Sequence, residues 1–376
     1  MPCLDEEKTI GICVEKALHA LRKMGSSGEV IVSDNGSTDR SAEIAQSFGA
    51  RIVHQPVPGY GSAYLKGLKK ARGRYIVIGD SDNTYDFGEL ERFVAPLRDG
   101  HDMVIGNRFN GEILPGAMPW HHRYIGNPIL SGILNLLFRA GVKDAHCGMR
   151  SFTRDAYNQM HLQTQGMEFA SEMVINASKA GLHIAEVPVT YYPRSAGTGS
   201  MLHSFRDGWR HLRFMLLYSP NWLFMLPGFV LMGAGFLLLL MLVAGPVQIG
   251  SIHLDIHYMV LGSLLSLLGF QVINLDIHAK VYSLTGHFQE HDTLIEWLTK
   301  RFNMERGTAL GLLIFLVGLV INVWILYRWA TVGFGGQPRL REAILAMTLM
   351  VIGAQVVFSS FFLSILTIRR AGTHQN

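Results

Sequence analysis

The stretch Arg74-Tyr75-Ile76-Val77-Ile78-Gly79-Asp80-Ser81-Asp82-Asn83 decides the fold. Its first half is a short apolar run bounded by glycine and acids. Such a run reads as a strand buried on both faces of a sheet. Two carboxylates, Asp80 and Asp82, follow it directly. Oxygen donors so placed at a strand end suit a hard divalent cation, Mg²⁺ or Mn²⁺, which commonly shares its shell with substrate phosphates. An acid pair in a solvated turn is the bland alternative, so the flanking sequence has to decide between them.

Working outward, residues 29–33, 50–54 and 102–106 read as further strands, with 74–79 among them. Helical patterns fall near 7–24, 37–48, 62–71 and 89–97. Strand and helix in alternation predict an α/β domain with a mainly parallel sheet and helices on both faces. Ligands bind such sheets beyond the carboxyl ends of the strands. Polar clusters stand at three of those ends: Asp34-Asn35-Gly36-Ser37-Thr38-Asp39, Asp80-Ser81-Asp82-Asn83 and Asn107-Arg108. Asp34 can accept hydrogen bonds from a base or ribose, while Ser37 or Thr38 can simply cap the next helix. The glycines of Gly59-Tyr60-Gly61 let backbone approach a ligand closely, or serve a turn. Pro2-Cys3-Leu4-Asp5-Glu6-Glu7 reads as the loop after a first strand, yet no strand precedes it. Either a first strand is missing ahead of it or the start is misassigned, and a missing central strand would leave backbone groups unpaired.

The second half has a different composition. Of the 376 residues 49% are hydrophobic, and they concentrate beyond Tyr218. Four apolar runs, 222–244, 258–275, 308–327 and 343–368, contain no Asp, Glu, Lys or Arg. A bilayer core of roughly 30 Å takes about 20 residues as helix, so four transmembrane helices are expected. Residues 1–200 then form a soluble domain, 201–221 an amphipathic interfacial segment and 222–370 the membrane domain. In 201–221, Trp209, Leu212 and Phe214 stand beside Arg210 and Arg213, a pattern suited to a membrane surface. Residues 124–139 are also amphipathic. The first eight residues are polar, unlike a signal peptide. Arginines before the first span, Lys280, Lys300, Arg301 and Arg306 in the second loop, and Arg369 and Arg370 in the tail place both termini in the cytoplasm. Arg339 and Arg341 in the third loop run against that rule. Cys3, Cys13 and Cys147 lack metal spacing and are too few for a disulfide framework, which fits a reducing compartment. His121, His122 and His146 make no convincing transition-metal site. The net charge of +4 is modest, and no nucleic-acid partner is expected.

Pro2-Cys3-Leu4-Asp5-Glu6, the Asp34–Asp39 cluster, Gly59-Tyr60-Gly61 and Asp80-Ser81-Asp82, in that order, resemble family 2 glycosyltransferases of the GT-A fold. Gly106-Asn107-Arg108-Phe109, Asp144-Ala145-His146-Cys147-Gly148-Met149-Arg150 and the stretch from Glu186 to Arg194 resemble, within that family, the dolichyl- and polyprenyl-phosphate glycosyltransferases. The likeness covers nearly all of the chain to about Leu217. It implies transfer of a sugar from a UDP- or GDP-sugar to undecaprenyl or dolichyl phosphate, in a prokaryotic plasma membrane with the catalytic domain in the cytoplasm. It implies Asp34, with Pro2, Leu4, Glu6, Asp39, Gly61 and Ser81, at the nucleotide. Asp80 and Asp82 would hold Mg²⁺ or Mn²⁺ on the diphosphate. Arg108, Arg123 and Arg194 would meet the acceptor phosphate, as the planar guanidinium fork suits. Asp144 matches a motif acid and would orient the sugar or Arg150. Glu168 and Glu172 are candidate sugar contacts, with ordinary helix surface as the alternative. Departures from the pattern are Ser81 between the acids, Thr84 where a glutamine often adds a ligand, and Asn35 for a second Asp.

Two other readings compete. A processive polysaccharide synthase shares the acid pair but carries Gln-x-x-Arg-Trp, and Asp207-Gly208-Trp209-Arg210 does not match it. A membrane scaffold or lipid-transfer protein that binds nucleotide without turnover would be free to lose Asp80 and Asp82, and both are intact. Homo-oligomerisation is left open.

Overall fold

The computed structural model describes residues 1–194, 204–219, 221–285, 304–335 and 339–368. Lys300, Arg301, Arg369 and Arg370, used above for topology, lie outside the described residues. The chain forms two compact units, Met1–Tyr218 and Ser219–Asn376.

The first unit holds two sheets. Strands β1 (Pro2–Cys3), β2 (Ile31–Asp34) and β3 (Arg51–His54) are parallel neighbours in that order. Strands β4 (Tyr75–Ile78), β5 (Met103–Ile113), β6 (Arg150–Thr153) and β7 (Ile184–Tyr191) form the other, ordered β4-β6-β5-β7. β6 runs antiparallel to both neighbours, and β5 runs parallel to β7. The expected parallel arrangement therefore holds in the first sheet, and the second is mixed. The four expected strands are present, with β5 running on to Ile113. Pro2 and Cys3, read as loop, are strand: Pro2 pairs with Ser33 and Cys3 with Asp34.

Helices α1 (Ile10–Lys23), α2 (Ser41–Ser47), α3 (Tyr60–Lys70) and α4 (Leu90–Arg98) pack on these strands. α1 shows how. Its buried residues Ile10, Cys13, Val14 and Ala17 recur at helical spacing and line one face. It stops where Gly25 takes a φ of 59° behind a last turn carrying Arg22 and Lys23. Further along come α5 (Asn127–Phe138), α6 (Arg154–Met160), α7 (Phe169–Lys179) and α8 (Ser204–Leu217). One core unites them, with Ile10, Val32, Phe93, Val104, Phe152 and Phe169 almost fully enclosed. Burying such a side chain stabilises by roughly 1.5–3 kcal/mol. The three cysteines are buried free thiols, and burial pushes Cys13 and Cys147 up to about 12. α8 turns Phe214 and Met215 into this core while Trp209 is exposed. α5 buries Leu134 and exposes Ile129 and Leu136.

The second unit contains α9 (Leu226–Leu242), a hairpin of β8 (Val247–Ile249) and β9 (Ile252–Leu254), α10 (Ile256–Thr285), α11 (Met304–Thr331) and α12 (Leu340–Ile368). Four stretches, Trp222–Leu242, Ile256–Val281, Met304–Thr331 and Leu340–Leu366, are long and apolar enough to cross a membrane. Arg341, one of the two arginines that run against the topology rule, pairs with Asp255, and Arg339 sits over the Trp324 ring at 4.2 Å. The helices meet through small residues. Gly235 of α9 lies against the Gly262 carbonyl and Ser266 amide of α10, and Gly311 of α11 lies against the Gly353 carbonyl of α12. Lipid offers no hydrophobic drive between helices, so close backbone approach carries the association. Replacing Gly353 by Leu is expected to cost about 1–3 kcal/mol through overpacking. Thermal unfolding in detergent checks this: a variant as stable as the native chain would remove the contact's importance.

Candidate active site

The acid loop sits at the carboxyl end of β4, where it faces the loops that follow β1 and β2. Asp80 receives hydrogen bonds from the hydroxyls of Tyr60 (2.9 Å) and Tyr64 (3.3 Å), four residues apart on α3. Gly148 lies so close that a Cβ there would collide with the Asp80 carboxylate. Asp82, 7% exposed, accepts bonds from the Thr84 amide (3.1 Å) and hydroxyl (2.6 Å) on one oxygen. The Arg194 guanidinium sits on the other, with Nε and a second nitrogen each at 2.8 Å. Ser81, between the acids, donates to the Pro2 carbonyl at 2.7 Å. Burial and the like charge of Asp82 push Asp80 up to about 6, against the pull of the two tyrosines.

The loops after β1 and β2 are zipped together. The Asp5 amide donates to Ser37 Oγ, and the Thr38 amide donates to the Asp5 carboxylate at 2.7 Å. The Glu6 amide donates to Ser41 Oγ, and the Glu7 amide to Asp39. Asp39 also accepts from the Ser41 amide, so it fastens two loops and starts α2. Asp34, 6% exposed, accepts from the Ser37 amide and contacts His54 Nδ1 at 3.2 Å. Burial raises it, but these bonds win and hold it below the usual carboxylate range. Asn35 donates to the carbonyls of Gln55 and Val57 and accepts from the Gly59 amide. An aspartate could not make those two donations, which accounts for the departure from Asp. The structure brings Pro2, Glu6, Asp34, Asp39, Ser81, Asp80, Asp82 and Arg194 into one bonded group of loops. Leu4 lies in the same loop.

Other expected residues do different work. Gly59 and Gly61 were read as making room for a ligand. A Cβ on either would instead strike the carbonyls of Gln165 or Thr164, so the glycines admit the chain's own 164–166 loop. Glu172 accepts bonds from the Gln163 amide and from the amide and hydroxyl of Thr164, and is 1% exposed. It ties that loop down. Glu168 lies against Gly166 in the same turn. Arg108 was read as an acceptor-phosphate ligand. Here it forms a two-pronged pair with Asp144, both contacts 2.7 Å, at 6% exposure. Asp144 thus orients Arg108 and not Arg150. Arg150, 1% exposed, donates to the carbonyls of Ala145, Cys147 and Ala170. It stakes the 145–148 loop beside Asp80. Arg123 lies over the Tyr124 ring at 5.5 Å, in the turn before α5. His146 meets His211 edge-on at 4.7 Å, with Ser171 bonded to the latter at 2.8 Å.

Tyr60 and Tyr64 were missed by sequence reasoning, and Thr84, noted there as a departure from the family pattern, is bonded to Asp82. The tyrosines are four residues apart at the start of a helix, hence on one face, and that spacing was the readable signal.

The chain has recognisable relatives among known proteins. Residues 1–160 match the glycosyl transferase family 2 domain, and residues 277–367 match the glycosyltransferase family 2 C-terminal transmembrane region. The chain is 43% identical over 366 residues to the low-salt glycan biosynthesis hexosyltransferase Agl6 of Haloferax volcanii, covering 96% of this chain and 87% of that one. It is 32% identical over 200 residues to a dolichyl-phosphate hexose transferase of the same organism, covering 53% and 83%. Among solved structures, glucosyl-3-phosphoglycerate synthase from Mycobacterium tuberculosis aligns at a TM-score of 0.47 and 24% identity, over 58% of this chain and 77% of that one. The chain belongs to the family 2 glycosyltransferases and carries their C-terminal transmembrane region.

Two variants test the site's internal order. Asp144→Ala leaves the Arg108 charge buried without its partner, so a stability loss of about 3–5 kcal/mol is expected. Asn35→Asp turns two donations into repulsions with carbonyls, with an expected loss of about 1–3 kcal/mol. Denaturant unfolding of each variant measures both. Losses of a few tenths would show that these bonds organise little.

Proposed function

We propose that the protein transfers a hexose from a nucleotide sugar to a polyprenyl phosphate at the cytoplasmic face of a membrane. The observation that carries this reading is the acid pair Asp80/Asp82 at a strand's carboxyl end, beside the zipped loops, in a chain with four apolar membrane-length helices. The Haloferax hexosyltransferase and the dolichyl-phosphate hexose transferase support glycosyl transfer to a lipid carrier.

The loops after β1 and β2 present Asp34 to a base or ribose. Asp80 and Asp82 suit Mg²⁺ or Mn²⁺: both are hard oxygen donors, and Arg194 already stands on Asp82 as a cation would. The described residues hold no group of three or more His, Cys, Asp or Glu placed to bind a metal by themselves. Donor diphosphate oxygens would therefore complete the shell. When bound, such an ion supplies charge neutralisation to the leaving diphosphate. The acceptor, a phosphate monoester with a second pKa of about 6, needs no general base near neutral pH. What the chain must do is align it with the anomeric carbon, giving single displacement with inversion. Arg194, on the rim at 34% side-chain exposure, can exchange Asp82 for a phosphate, which the enclosed Arg108 and Arg150 cannot. The exposed Trp209 and the apolar face of α5 fit a site working against lipid.

The test is transfer by the purified chain in detergent, with undecaprenyl or dolichyl phosphate, a panel of UDP- and GDP-sugars, and Mg²⁺ or Mn²⁺. A lipid-linked hexose is expected, reduced by roughly 10²-fold or more in Asp82→Asn. Nucleotide binding without lipid product from any donor would sink the reading. A pH series adds a second check. Asp80 titrates near 6 because burial and Asp82 disfavour its charge, and the protonated form does not bind a cation. Mn²⁺ affinity, followed by electron paramagnetic resonance, is thus expected to drop about tenfold per pH unit below 6 and to level off above it. A flat profile between pH 5 and 8 would remove Asp80 from the cation site.

A further inference from the structure

α8 presents two different faces. His211, Phe214, Met215 and Tyr218 recur at helical spacing and turn toward the first unit's core, while Trp209, Arg210 and Arg213 are exposed. His211 is buried, in a stripe whose other members are hydrophobic. α7 meets this face twice. Lys179 Nζ donates to the Tyr218 carbonyl at 3.1 Å, and Ser171 Oγ stands 2.8 Å from His211 Nδ1. Ser171 is enclosed and has a second imidazole neighbour, His146 Nε2 at 3.4 Å. His146 belongs to the 145–148 loop. Arg150 gathers the carbonyls of Ala145 and Cys147 in that loop, and Gly148 lies against the Asp80 carboxylate. A line of side chains therefore runs from α8, through α7, to the loop beside the acid pair.

The hydrogens along this line have one arrangement that leaves no donor of His146 or Ser171 unpaired. Burial, and after it His211, Arg150 and Arg108, hold His146 well below the usual imidazole range, so the ring is neutral and carries a single N–H. Its Nδ1 is enclosed and has no hydrogen-bond partner. An N–H at that atom would be a buried donor left unpaired, which folded proteins rarely tolerate. The proton therefore sits on Nε2 and points to Ser171 Oγ. Ser171 in turn donates its own hydrogen to His211 Nδ1, the shorter of the two contacts. Because Nδ1 of His146 has no partner, Ser171 is what sets that ring's tautomer, and His211 is what orients Ser171.

We infer that His211 is a positioning residue for the acid loop, acting through Ser171 on His146 and through His146 on the 145–148 loop against Asp80. The inference rests on the reading of Asp80 as a cation ligand and adds to it that the seating of α8 is part of the site's geometry. α8 is the helix suited to a membrane surface. Shifting it off α7 withdraws the acceptor from Ser171 and frees the His146 ring, and the loop beside Asp80 loosens with it.

Full-length chains in detergent test this: the native chain, His211→Leu, His211→Asn and Lys179→Met. Asparagine puts a side-chain amide atom where Nδ1 stood. Leucine keeps the bulk without a polar atom. Lys179→Met cuts the other tie to α8 and leaves Ser171 and His211 in place. Mn²⁺ affinity with UDP or GDP present, followed by electron paramagnetic resonance, is expected to fall about tenfold in His211→Leu, to return within about threefold of native in His211→Asn and to stay at the native value in Lys179→Met. Nitrogen NMR of chains isotopically labelled at histidine reads the tautomer, with the His146 signal identified by its loss in His146→Gln. A single Nε2–H form is expected in the native chain, and its loss in His211→Leu. Equal affinities in all four chains, an equal drop in His211→Leu and Lys179→Met, or an Nδ1–H form of His146 in the native chain would overturn the inference. The native tautomer needs no variant, so it judges the link even where the leucine chain fails to fold. It also separates the two readings: a native chain that binds no Mn²⁺ removes Asp80 as a cation ligand, while the tautomer still decides whether His211 governs His146.

Discussion

Asp80 and Asp82 are like charges held two residues apart in a nearly enclosed loop, and much of the first unit is arranged to keep them there. In such a place the like charges repel, and burial together with the charge of Asp82 pushes Asp80 up. The structure offsets this with donors that carry no charge of their own on one acid, and with hydroxyl, amide and guanidinium on the other. Each donor is fixed by something further out. Tyr60 and Tyr64 lie on the first turns of α3, whose start is seated on the Gln165 carbonyl through the Ser62 amide. That 164–166 loop is fastened in turn by Glu172. Gly148, which leaves room for Asp80, is held by the Tyr85 hydroxyl at 2.9 Å and flanked by carbonyls that Arg150 gathers.

The arginines divide by burial. Arg108 and Arg150 are enclosed, so their charge must be met within the protein, by a carboxylate in one case and by three carbonyls in the other. A guanidinium presents several donors in a fixed plane, which lets one side chain pin three separate backbone points. These residues shape the loop that carries the motif around Gly148. Arg194, at the rim, is the described arginine whose partners are the acid pair's own Asp82 and the nearby Glu6, the latter at 3.8 Å. The three share a residue type and a sequence motif set, yet position in the fold separates the two enclosed arginines from the one at the rim.

That separation explains what the sequence could show. Strands β2 to β5 were legible because each is an apolar run closed by polar residues. The membrane helices were legible from composition alone. β6 was not, because it opens on Arg150 and alternates with Ser151 and Thr153, and its charge is satisfied by carbonyls brought from elsewhere. β7 contains Pro188, which argues against a paired strand by pattern. At the site, the acid pair and Asp34 could be named from strand ends. The partners of Arg108 and of the glycines could not, since each depends on a loop distant in sequence.

The ladder at β1 ties these levels together. Ser81, between the two acids, is bonded to the Pro2 carbonyl, and the Cys13 thiol contacts the Ser81 carbonyl at 3.5 Å. The acid loop therefore takes its position from β1 and from the helix that follows it. β1 in turn is held by two residue pairs with β2 and has a cavity behind it. A strand so short fixes its neighbours weakly, because each ladder bond adds only about 0.5–1.5 kcal/mol net. The Pro2–Ser81 contact, and with it the placing of the two carboxylates, therefore rests on few ladder bonds and on the packing of α1 behind them.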